Sequence, residues 1–243
     1  MEPNSGKLDR LVVAIDGPAA AGKSTVGEAV AHRLNALYFD TGVIYRALTL
    51  AALERGIDVV GNTSRLLDLA RGLNVRVAEP SQQDGRLYDV WLNGRDVSWA
   101  IRSADVDRAV SPVAAHPAIR RALLPLQREI GGRGRVVMTG RDIGTVVMPD
   151  AELKIWLDAS LEERARRRQR ELAGRGIDRS LSEVQAEMAE RDRRDSQRTV
   201  APMRPAEDAV LIQTDGRTVT EIVEEIATLA GSQTKMRHQY GDQ

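Results

Sequence analysis

A glycine-rich segment early in the sequence has the residue types and spacing that bind a phosphate chain. Residues 17–25 read GPAAAGKST and match the pattern G-x-x-x-x-G-K-[ST]. In such a loop the glycines let successive backbone N–H groups face phosphate oxygens, and the following helix adds its positive N-terminal end. Lys23 would contact the β- and γ-phosphates of ATP, and the Ser24 hydroxyl would be a direct ligand of the accompanying Mg²⁺. The predicted cradle consists of Gly17, Pro18, Ala19, Ala20, Ala21, Gly22, Lys23, Ser24 and Thr25.

Arginine supplies most of the positive charge and could hold a second phosphate group. Only four of the 35 Lys and Arg residues are lysines, so 31 are arginines, and 35 acidic residues bring the net charge to zero. Twelve arginines and nine acidic residues lie between residues 160 and 204. Arginine pairs with a phosphate in two places at once, which lysine cannot do. Phosphoryl transfer to a small acceptor also needs a lid that excludes water, and these arginines could supply both the cations and the lid.

Two simpler explanations of the arginines stay open at this stage. A genome rich in G and C replaces lysine by arginine without a functional reason. A solvated helix face with charge pairs four residues apart would also be rich in arginine, and Glu163 with Arg167 has that spacing. We assign Arg166 and Arg170 to such a face.

The composition excludes several classes of protein. Without cysteine there is no disulfide framework or thiolate metal site, and the three histidines are too scattered to build a metal centre. Neutral net charge and 3% aromatic residues argue against a nucleic-acid-binding surface. No run of 18 apolar residues exists, and the first ten residues, MEPNSGKLDR, lack the apolar core of a signal peptide. We therefore expect a soluble, cytoplasmic protein without nucleic-acid or membrane partners. We also expect it to act as a monomer.

The elements around the loop predict a parallel sheet with crossover helices. Residues 11–15 form a short apolar β-branched run that is typical of a buried strand, and the spacing over 24–35 predicts a helix. A second strand at 37–39 precedes a helix that Thr41 would cap and Gly56 would end. This βαβα order indicates an α/β fold. The remaining predicted elements are helices at 63–70, 104–110, 117–130 and 218–230, a helical stretch at 160–194 broken near 174–176, and strands at 135–138, 153–157 and 210–213.

A segment in the middle of the chain has a different pattern. Residues 74–78 and 87–92 alternate as strands, and Asn93-Gly94 favours a tight hairpin turn. We predict a small antiparallel insert at 66–105, with Trp91 and Trp99 packed in its core. The core domain would then comprise 11–65 and 106–230, with a lid at about 160–180, followed by a polar, disordered tail at 231–243.

The phosphate loop alone does not separate GTPases, ATPase motors and small-molecule kinases. A GTPase would read guanine with the pattern N-K-x-D, but none of the five asparagines is followed by lysine. A motor ATPase would need a longer chain or recognisable partner surfaces. A kinase for a small acceptor remains the best interpretation.

Six segments resemble bacterial cytidylate kinases. They are GPAAAGKST, DTGVIYR (40–46), GRDIGTVV (140–147), PDAELKIWLDAS (149–160), ERARRR (163–168) and ERDRRDSQRTVAP (190–202), in the order of that family and within residues 11–230. The resemblance implies a P-loop kinase with a five-stranded parallel sheet flanked by helices, a small antiparallel β insert for the monophosphate and a helical lid. It implies ATP-dependent phosphorylation of CMP, and of dCMP. The alternatives are another acceptor, such as UMP, AMP or shikimate, or a P-loop regulator without an acceptor.

The same resemblance implies roles for individual residues. Asp142 would accept from N4 of cytosine, while Ser111 and Arg120 would donate to N3 and O2, a polarity that disfavours uracil. Arg141, Arg198 and Arg46 would hold the acceptor phosphate. Arg191, Asp195 and Tyr45 would lie along the sugar, and Thr41 replaces a serine common at its position. The lid arginines closing on ATP would be Arg164, Arg167 and Arg168, and the residues acting directly on the transferred group would be Lys23, Arg141, Arg164, Arg168 and Arg198.

One position departs from the family pattern. The residue before Gly140 is commonly acidic, but here it is Thr139. A carboxylate that would hold Mg²⁺ through water is then missing, and Asp16 is the candidate to replace it. We expect weaker Mg²⁺ affinity rather than lost activity.

Overall fold

The computed structural model describes residues 10–174 and 176–240, with side chains as far as Ser232. Eight strands and eight α-helices are found in this part of the chain. The strands are β1 Leu11–Asp16, β2 Leu37–Asp40, β3 Val75–Ala78, β4 Asp89–Leu92, β5 Arg95–Asp96, β6 Arg135–Gly140, β7 Leu153–Asp158 and β8 Val210–Gln213. The helices are α1 Lys23–Arg33, α2 Gly42–Glu54, α3 Thr63–Arg71, α4 Ala104–Ala115, α5 Pro117–Gly131, α6 Leu161–Gly174, α7 Leu181–Ser196 and α8 Val219–Tyr240.

Five strands form a parallel sheet in the order β2-β6-β1-β7-β8. All six residues of β1 are buried, because this strand pairs on both sides and helices cover both faces. The carboxyl ends of β1, β2 and β6 therefore lie side by side. Loops that follow these ends share one edge of the sheet, where ligands bind in open α/β folds. The predicted five-stranded parallel sheet is confirmed.

The insert is a three-stranded antiparallel sheet in the order β3-β4-β5. Its hairpin turns at Asn93 and Gly94, which have φ angles of 50° and 80°. Two successive positive φ values are what a tight two-residue hairpin requires, so the predicted turn is confirmed. The packing of Trp99 was predicted wrongly: its side chain is 49% exposed, because the indole Nε1 donates a hydrogen bond of 2.9 Å to the carboxylate of Asp84 at the surface.

Two helices run further than their patterns predicted. Helix α4 continues from the expected end at 110 to Ala115 and accommodates Pro112. Helix α8 continues to Tyr240, so the disorder expected from residue 231 is wrong as far as 240, and residues 241–243 lie outside the described part. Polar side chains do not end a solvent-facing helix when their hydroxyls bond to the preceding turn, as Ser232 does to the carbonyl of Thr228 (3.0 Å).

Candidate active site

The phosphate loop connects the end of β1 to the start of α1, and its two glycines adopt conformations that other residues avoid. Gly17 has a φ of 149°, and a Cβ there would lie 2.0 Å from the carbonyl oxygen of Leu157. Gly22 has a φ of 94° immediately before α1. The loop therefore passes close to β7 and turns into the helix only because both positions are glycine.

Lys23 is 9% exposed and its Nζ donates a hydrogen bond of 2.5 Å to the carbonyl of Pro18 in the same loop. The pKa of Lys23 lies well below its usual value, first because the side chain is buried and then because Arg141 is nearby. The carboxylates of Asp40 and Asp16 act in the opposite direction. The lysine is thus folded onto the loop among other charged groups of the sheet edge.

Asp16, the last residue of β1, fixes the turn that carries the GRDIGTVV segment. Its two carboxylate oxygens accept the backbone N–H groups of Ile143 (2.8 Å) and Gly144 (2.7 Å). Residues Ile143–Val147 form a π-helical turn, and the Asp16 side chain is buried beneath it. Burial raises the pKa of Asp16 to about 6, although both backbone hydrogen bonds act to lower it. Asp16 therefore positions the residues on either side of this turn.

Asp142 and Arg120, predicted to read a base, form a buried ion pair. The guanidinium Nη2 of Arg120 lies 2.6 Å from both carboxylate oxygens of Asp142, and its carbon lies 5.4 Å from the centre of the Tyr45 ring. The Tyr45 hydroxyl accepts a hydrogen bond of 3.4 Å from Gln127. The Nε atom of Arg120 is buried without a hydrogen-bond partner among the described residues. Beside the pair is a cavity of about 110 Å³, lined in part by Tyr45, Arg120, Gln127, Asp142 and Ala201.

A second ion cluster joins the phosphate loop to α7. Arg141 donates from Nε to Asp195 (3.1 Å) and from Nη1 to the carbonyl of Gly17 (3.2 Å). Arg198 pairs with the other oxygen of Asp195. The Nε atom of Arg198 is also buried and unpartnered within the part of the chain that the structure describes. Asp195, which was predicted to lie along the sugar with Arg191, pairs in this structure with two arginines predicted to hold the phosphate, and its contact with a sugar stays a prediction.

Arg46 and Arg191 complete the positive side of the cleft. Arg46 donates from Nη1 to Asp107 (2.6 Å) and to the carbonyl of Ile101 (3.1 Å), which ties α2 to α4. Arg191 lies on α7, with part of the residue open to solvent and its guanidinium close to the other arginines of the cleft. Its pKa is lowered, first by desolvation in the cleft and also by the positive charges of Arg141, Arg168 and Arg46. Arg191 on α7 therefore shares the cleft with Arg46 on α2, Arg141 after β6 and Arg168 on α6, and an anion there would relieve their repulsion.

The three predicted lid arginines have different surroundings. Arg164 is buried and bonds to the carbonyls of Ala159 (3.0 Å) and Ala19 (3.3 Å) and to Asp192 (2.5 Å). It therefore links α6 and α7 to the phosphate loop. Arg167 bonds to Glu163 and to the hydroxyl and carbonyl of Thr214. Arg168 is the most exposed of the three and pairs with Glu171 (2.6 Å).

Further contacts hold the start of α6 in place and distinguish the two sides of this helix. The carboxylate of Asp215, in the loop after β8, accepts from the backbone N–H of Ser160 (3.0 Å) and from its hydroxyl (2.6 Å), directly before α6 begins. Arg166 pairs with Glu162 at exposed positions, as expected for a solvated face, and the exposed Arg170 pairs with the half-buried Glu163. Helix α6 therefore has one side built from specific contacts and another side of surface ion pairs.

Four residues with hydroxyl groups were predicted to belong to the site. Ser24 and Thr25 are exposed in the first turn of α1, and Ser111 is half-buried on α4. Thr41 precedes α2 but its hydroxyl donates to the carbonyl of Thr139 (3.1 Å), so the predicted side-chain cap of α2 is wrong. The Thr41 hydroxyl cannot cap α2 and also donate to Thr139, because the backbone of Thr41 is already helical and its side chain faces β6.

Sequence reasoning missed Asp40, Asp107 and Asp192. Asp107 and Asp192 hold Arg46 and Arg164, and nothing in the local pattern indicates these distant pairings. Asp40 had a usable signal, because it ends a predicted strand and so must lie at the edge of the sheet where the phosphate loop begins.

The donor set fits a magnesium ion that is held mostly by its nucleotide. Within the described residues, no group of three or more Asp, Glu, His or Cys side chains is placed to hold a metal. The exposed Ser24 hydroxyl at the start of α1 is an oxygen ligand of the kind that Mg²⁺ accepts, and this ion keeps several waters and binds substrate phosphates. The same part of the chain contains no helix with the length and apolar character needed to cross a membrane.

A parallel sheet with a phosphate loop after its central strand, a cluster of arginines and a helical lid defines the class of P-loop kinases. Within this class, the chain belongs to the cytidylate kinase family, whose model matches residues 13–232. Cytidylate kinase from Chloroflexus aggregans is 54% identical over 87% of this chain and 90% of the relative. That from Herpetosiphon aurantiacus is 50% identical over 90% and 93%. Shikimate kinase from Acinetobacter baumannii in complex with shikimate aligns over 95% of this chain and 98% of that chain at 14% identity and a TM-score of 0.48, too distant to bear on function.

Proposed function

We propose that the protein transfers the γ-phosphoryl group of ATP to CMP, and also to dCMP, and releases ADP with CDP or dCDP. The observation that carries this proposal is the pair of Nε donors on Arg120 and Arg198, which are buried and have no partner among the described residues. Arg120 belongs to the ion pair with Asp142, and Arg198 belongs to the cluster with Asp195 and Arg141. A buried donor without a partner costs stability, so a site that keeps two of them favours a ligand rich in acceptors. A nucleoside monophosphate supplies acceptors on both its base and its phosphate.

The base would bind in the cavity beside the Asp142–Arg120 pair. A carboxylate of Asp142 accepts a hydrogen bond from the amino group at N4 of cytosine, while Arg120 and Ser111 donate to N3 and O2. Uracil presents an acceptor where cytosine presents the N4 amino group. Asp142 and the uracil O4 atom would then face each other without a proton, so UMP is the poorer substrate.

The acceptor phosphate would bind between Arg141, Arg198 and Arg46, with Arg191, Asp195 and Tyr45 along the sugar. An oxygen of this phosphate is already ionised near neutral pH, so the attack needs no general base. A new bond forms between that oxygen and the γ-phosphorus, and the bond from the γ-phosphorus to the bridging oxygen of ADP breaks. The arginines stabilise the charge that spreads over the transferred group and keep the two reacting atoms in line.

The donor phosphates would bind in the loop at residues 17–25, where Lys23 exchanges its contact with Pro18 for phosphate oxygens. Arg168 is the lid arginine with the fewest competing contacts, and we assign it the direct contact with ATP. Arg164 and Arg167 hold the loop and the last strand in place in the described conformation, and they would contact phosphates only after exchanging partners. Ser24 would hold Mg²⁺, which when bound neutralises charge on the β- and γ-phosphates.

The contribution of Asp16 to magnesium binding stays a prediction, since both of its oxygens already accept backbone N–H groups. The weaker Mg²⁺ affinity expected from Thr139 also stays a prediction. Thr139 is buried, and its hydroxyl lies 3.2 Å from that of Tyr38.

A coupled assay of ADP release with ATP and a panel of acceptors tests the proposal. CMP and dCMP should stimulate ADP release strongly, UMP weakly, and AMP and shikimate not at all. A preference for another acceptor would replace CMP as the substrate. No stimulation by any of the five would mean that the chain is a nucleotide-binding regulator rather than a kinase.

A further inference from the structure

Three side chains at the ends of β2 and β6 point to the same side of the sheet. The two strands are paired so that Asp40 lies opposite Thr139. A Cβ on Gly27 of α1 would lie 2.6 Å from Thr139 Cγ2 and 2.9 Å from Tyr38 Cε2, so both of these side chains face α1. Asp40 is two residues after Tyr38, and alternate residues of a strand face the same side. Asp40 therefore faces the first turn of α1, where Lys23 and Ser24 begin the helix.

Two carboxylates lie near Lys23, and they differ in what their oxygens already bind. Asp16 is 4% exposed, and each of its oxygens accepts a backbone N–H. Asp40 is half-buried, and its Oδ1 accepts the backbone N–H of Gly42 at 2.9 Å. The Asp40 side chain is therefore the more accessible carboxylate at this point of the cleft.

The surroundings of Ser24 also connect it to this group. The Tyr38 hydroxyl lies 3.2 Å from that of Thr139. Burial and then the charge of Asp40 raise the pKa of Tyr38, while the hydroxyls of Thr139 and Ser24 act to lower it, so Asp40 and Ser24 both lie near this phenol. Tyr38 is buried, and its ring lies 5.7 Å from that of Tyr88, so packing holds the ring on the side of the sheet that Asp40 also faces.

We propose that Asp40 binds the water shell of the magnesium ion that Ser24 would hold. Asp40 would take the role of the acidic residue that is common in the family at the position of Thr139. Mg²⁺ keeps several waters and is bound through one or two carboxylates together with substrate phosphates. A carboxylate on the neighbouring strand, in register with Thr139, meets that requirement. This inference rests on the proposed function in so far as it assumes that ATP binds with its metal.

The test compares ATP binding with and without Mg²⁺ by calorimetry, so no acceptor and no turnover are needed. The wild-type protein should bind ATP more tightly with Mg²⁺. Asp40→Asn keeps an acceptor for Gly42 and should reduce that enhancement about 10-fold, the effect typical of losing an outer-shell partner of a metal. ATP affinity without the metal should be unchanged or higher, since a negative charge has been removed.

Asp58→Asn is the matched control. Asp58 Oδ1 accepts the N–H of Val60, also two residues ahead and at 2.9 Å, but on an exposed loop. This variant should leave both affinities at the wild-type values. An unchanged enhancement in Asp40→Asn would overturn the proposal. An equal loss of ATP affinity with and without Mg²⁺ would also overturn it, because Asp40 would then act on Lys23 rather than on the metal.

A measurement on the wild-type protein covers the case in which Asp40→Asn does not fold. With ¹³C-labelled aspartate, manganese-ATP should broaden the carboxylate resonance of Asp40 much more than that of Asp58. Equal broadening of the two would contradict the proposal. The proposed kinase function would fail separately, through the absence of acceptor-dependent ADP release, while ATP and metal binding could still be measured.

Discussion

Two clusters of arginine and aspartate in this protein have opposite balances of charge. In the insert, Arg86 alone faces three carboxylates: Asp84 at 2.7 Å, Asp89 at 2.9 Å and Asp96 at 2.7 Å. Its Nε and both Nη atoms have acceptors. The Arg86 side chain is 6% exposed, and the cluster joins β4 and β5 to the preceding turn. Every donor of this arginine is used within the protein.

In the cleft, arginines outnumber the carboxylates that they contact. Arg120, Arg141 and Arg198 pair with only two aspartates, Asp142 and Asp195. Two of the three arginines keep a buried Nε without a partner among the described residues. We interpret Arg86 as an arginine that stabilises the fold and, on the proposed function, the cleft arginines as placed for an anionic ligand. On this interpretation the high arginine content of the sequence has at least two causes.

Removing the lysine of the phosphate loop should have the largest effect on activity. In Lys23→Ala, turnover should fall by at least about 100-fold, because the loop loses its one cation for the transferred phosphate. The free energy of unfolding should change little, since among the described residues the ammonium group donates one hydrogen bond, to the carbonyl of Pro18. Steady-state kinetics and urea unfolding measure the two quantities. Normal turnover in this variant would remove Lys23 from the catalytic site.

Replacing one arginine from each cluster separates their roles. Arg198→Ala should lower kcat/KM for CMP about 100-fold and leave the thermal unfolding midpoint almost unchanged. Arg86→Ala should lower the unfolding midpoint and leave kcat/KM for CMP unchanged, because it strands three carboxylates far from the phosphate loop. The reverse pattern, with a stable but inactive Arg86→Ala, would mean that the insert cluster contributes to the acceptor site.

Replacing Asp142 by asparagine in the proposed base pocket should alter the selectivity between CMP and UMP. Asp142→Asn offers an amide donor that can face O4 of uracil, while its single oxygen still accepts from Arg120. The preference for CMP over UMP, measured as the ratio of kcat/KM values, should shrink by about 10-fold. If the ratio stays constant while both activities fall, Asp142 positions Arg120 and does not read the base.

The smallest expected effect is on the pH dependence of stability, and here too the two regions differ. In the cleft, burial raises the pKa of Asp16 to about 6. In the insert, hydrogen bonds from Ser98 and then Arg86 lower the pKa of Asp96 to about 2. Because the pKa of Asp16 is raised in the folded protein, its contribution to the free energy of unfolding is fully present below the unfolded-state pKa of 3.8. This contribution is lost as the pH rises through about 6. Asp96 behaves in the opposite way, because its contribution to the free energy of unfolding is lost as the pH falls from 3.8 toward 2.

Asp16→Asn should therefore remove a pH dependence of about 2 kcal/mol between about pH 4.5 and 6.5. The measurement is urea unfolding of wild type and variant at both pH values. The variant will be less stable overall, because Asn offers one acceptor for two backbone N–H groups, so the difference between the two pH values is the quantity to compare. An equal pH dependence in both proteins would show that another group titrates in this range.

Local patterns predicted the features that depend on neighbouring residues. The phosphate loop, the buried strand before it and the Asn93-Gly94 turn are each set by residue types within a few positions, since positive φ angles and burial on both faces leave clear signals. Convergence of Arg120, Arg141 and Asp142 at one place followed from the family resemblance and not from spacing.

Features that depend on distant partners could not be predicted. Asp16 bonds to residues 127 and 128 positions away, and Arg164 reaches an aspartate 28 positions away on another helix. Which carboxylate pairs with which arginine is decided by tertiary packing, and every arginine looks equivalent in the sequence. The exposed indole of Trp99 was missed for the same reason, because its acceptor Asp84 lies across a turn.

The contact of Asp215 with Ser160 has a consequence for the way the chain can be shortened. The loop after β8 supplies the carboxylate before α6 and, through Thr214, two acceptors for Arg167. A protein cut after residue 213 would lose this anchor of α6 together with α8, whose Ile222, Val223, Ile226 and Ala230 are buried in the main core. The segment after the last strand therefore holds both the start of α6 and the packing of α1, and in the proposed kinase any closure of α6 over ATP would depend on it.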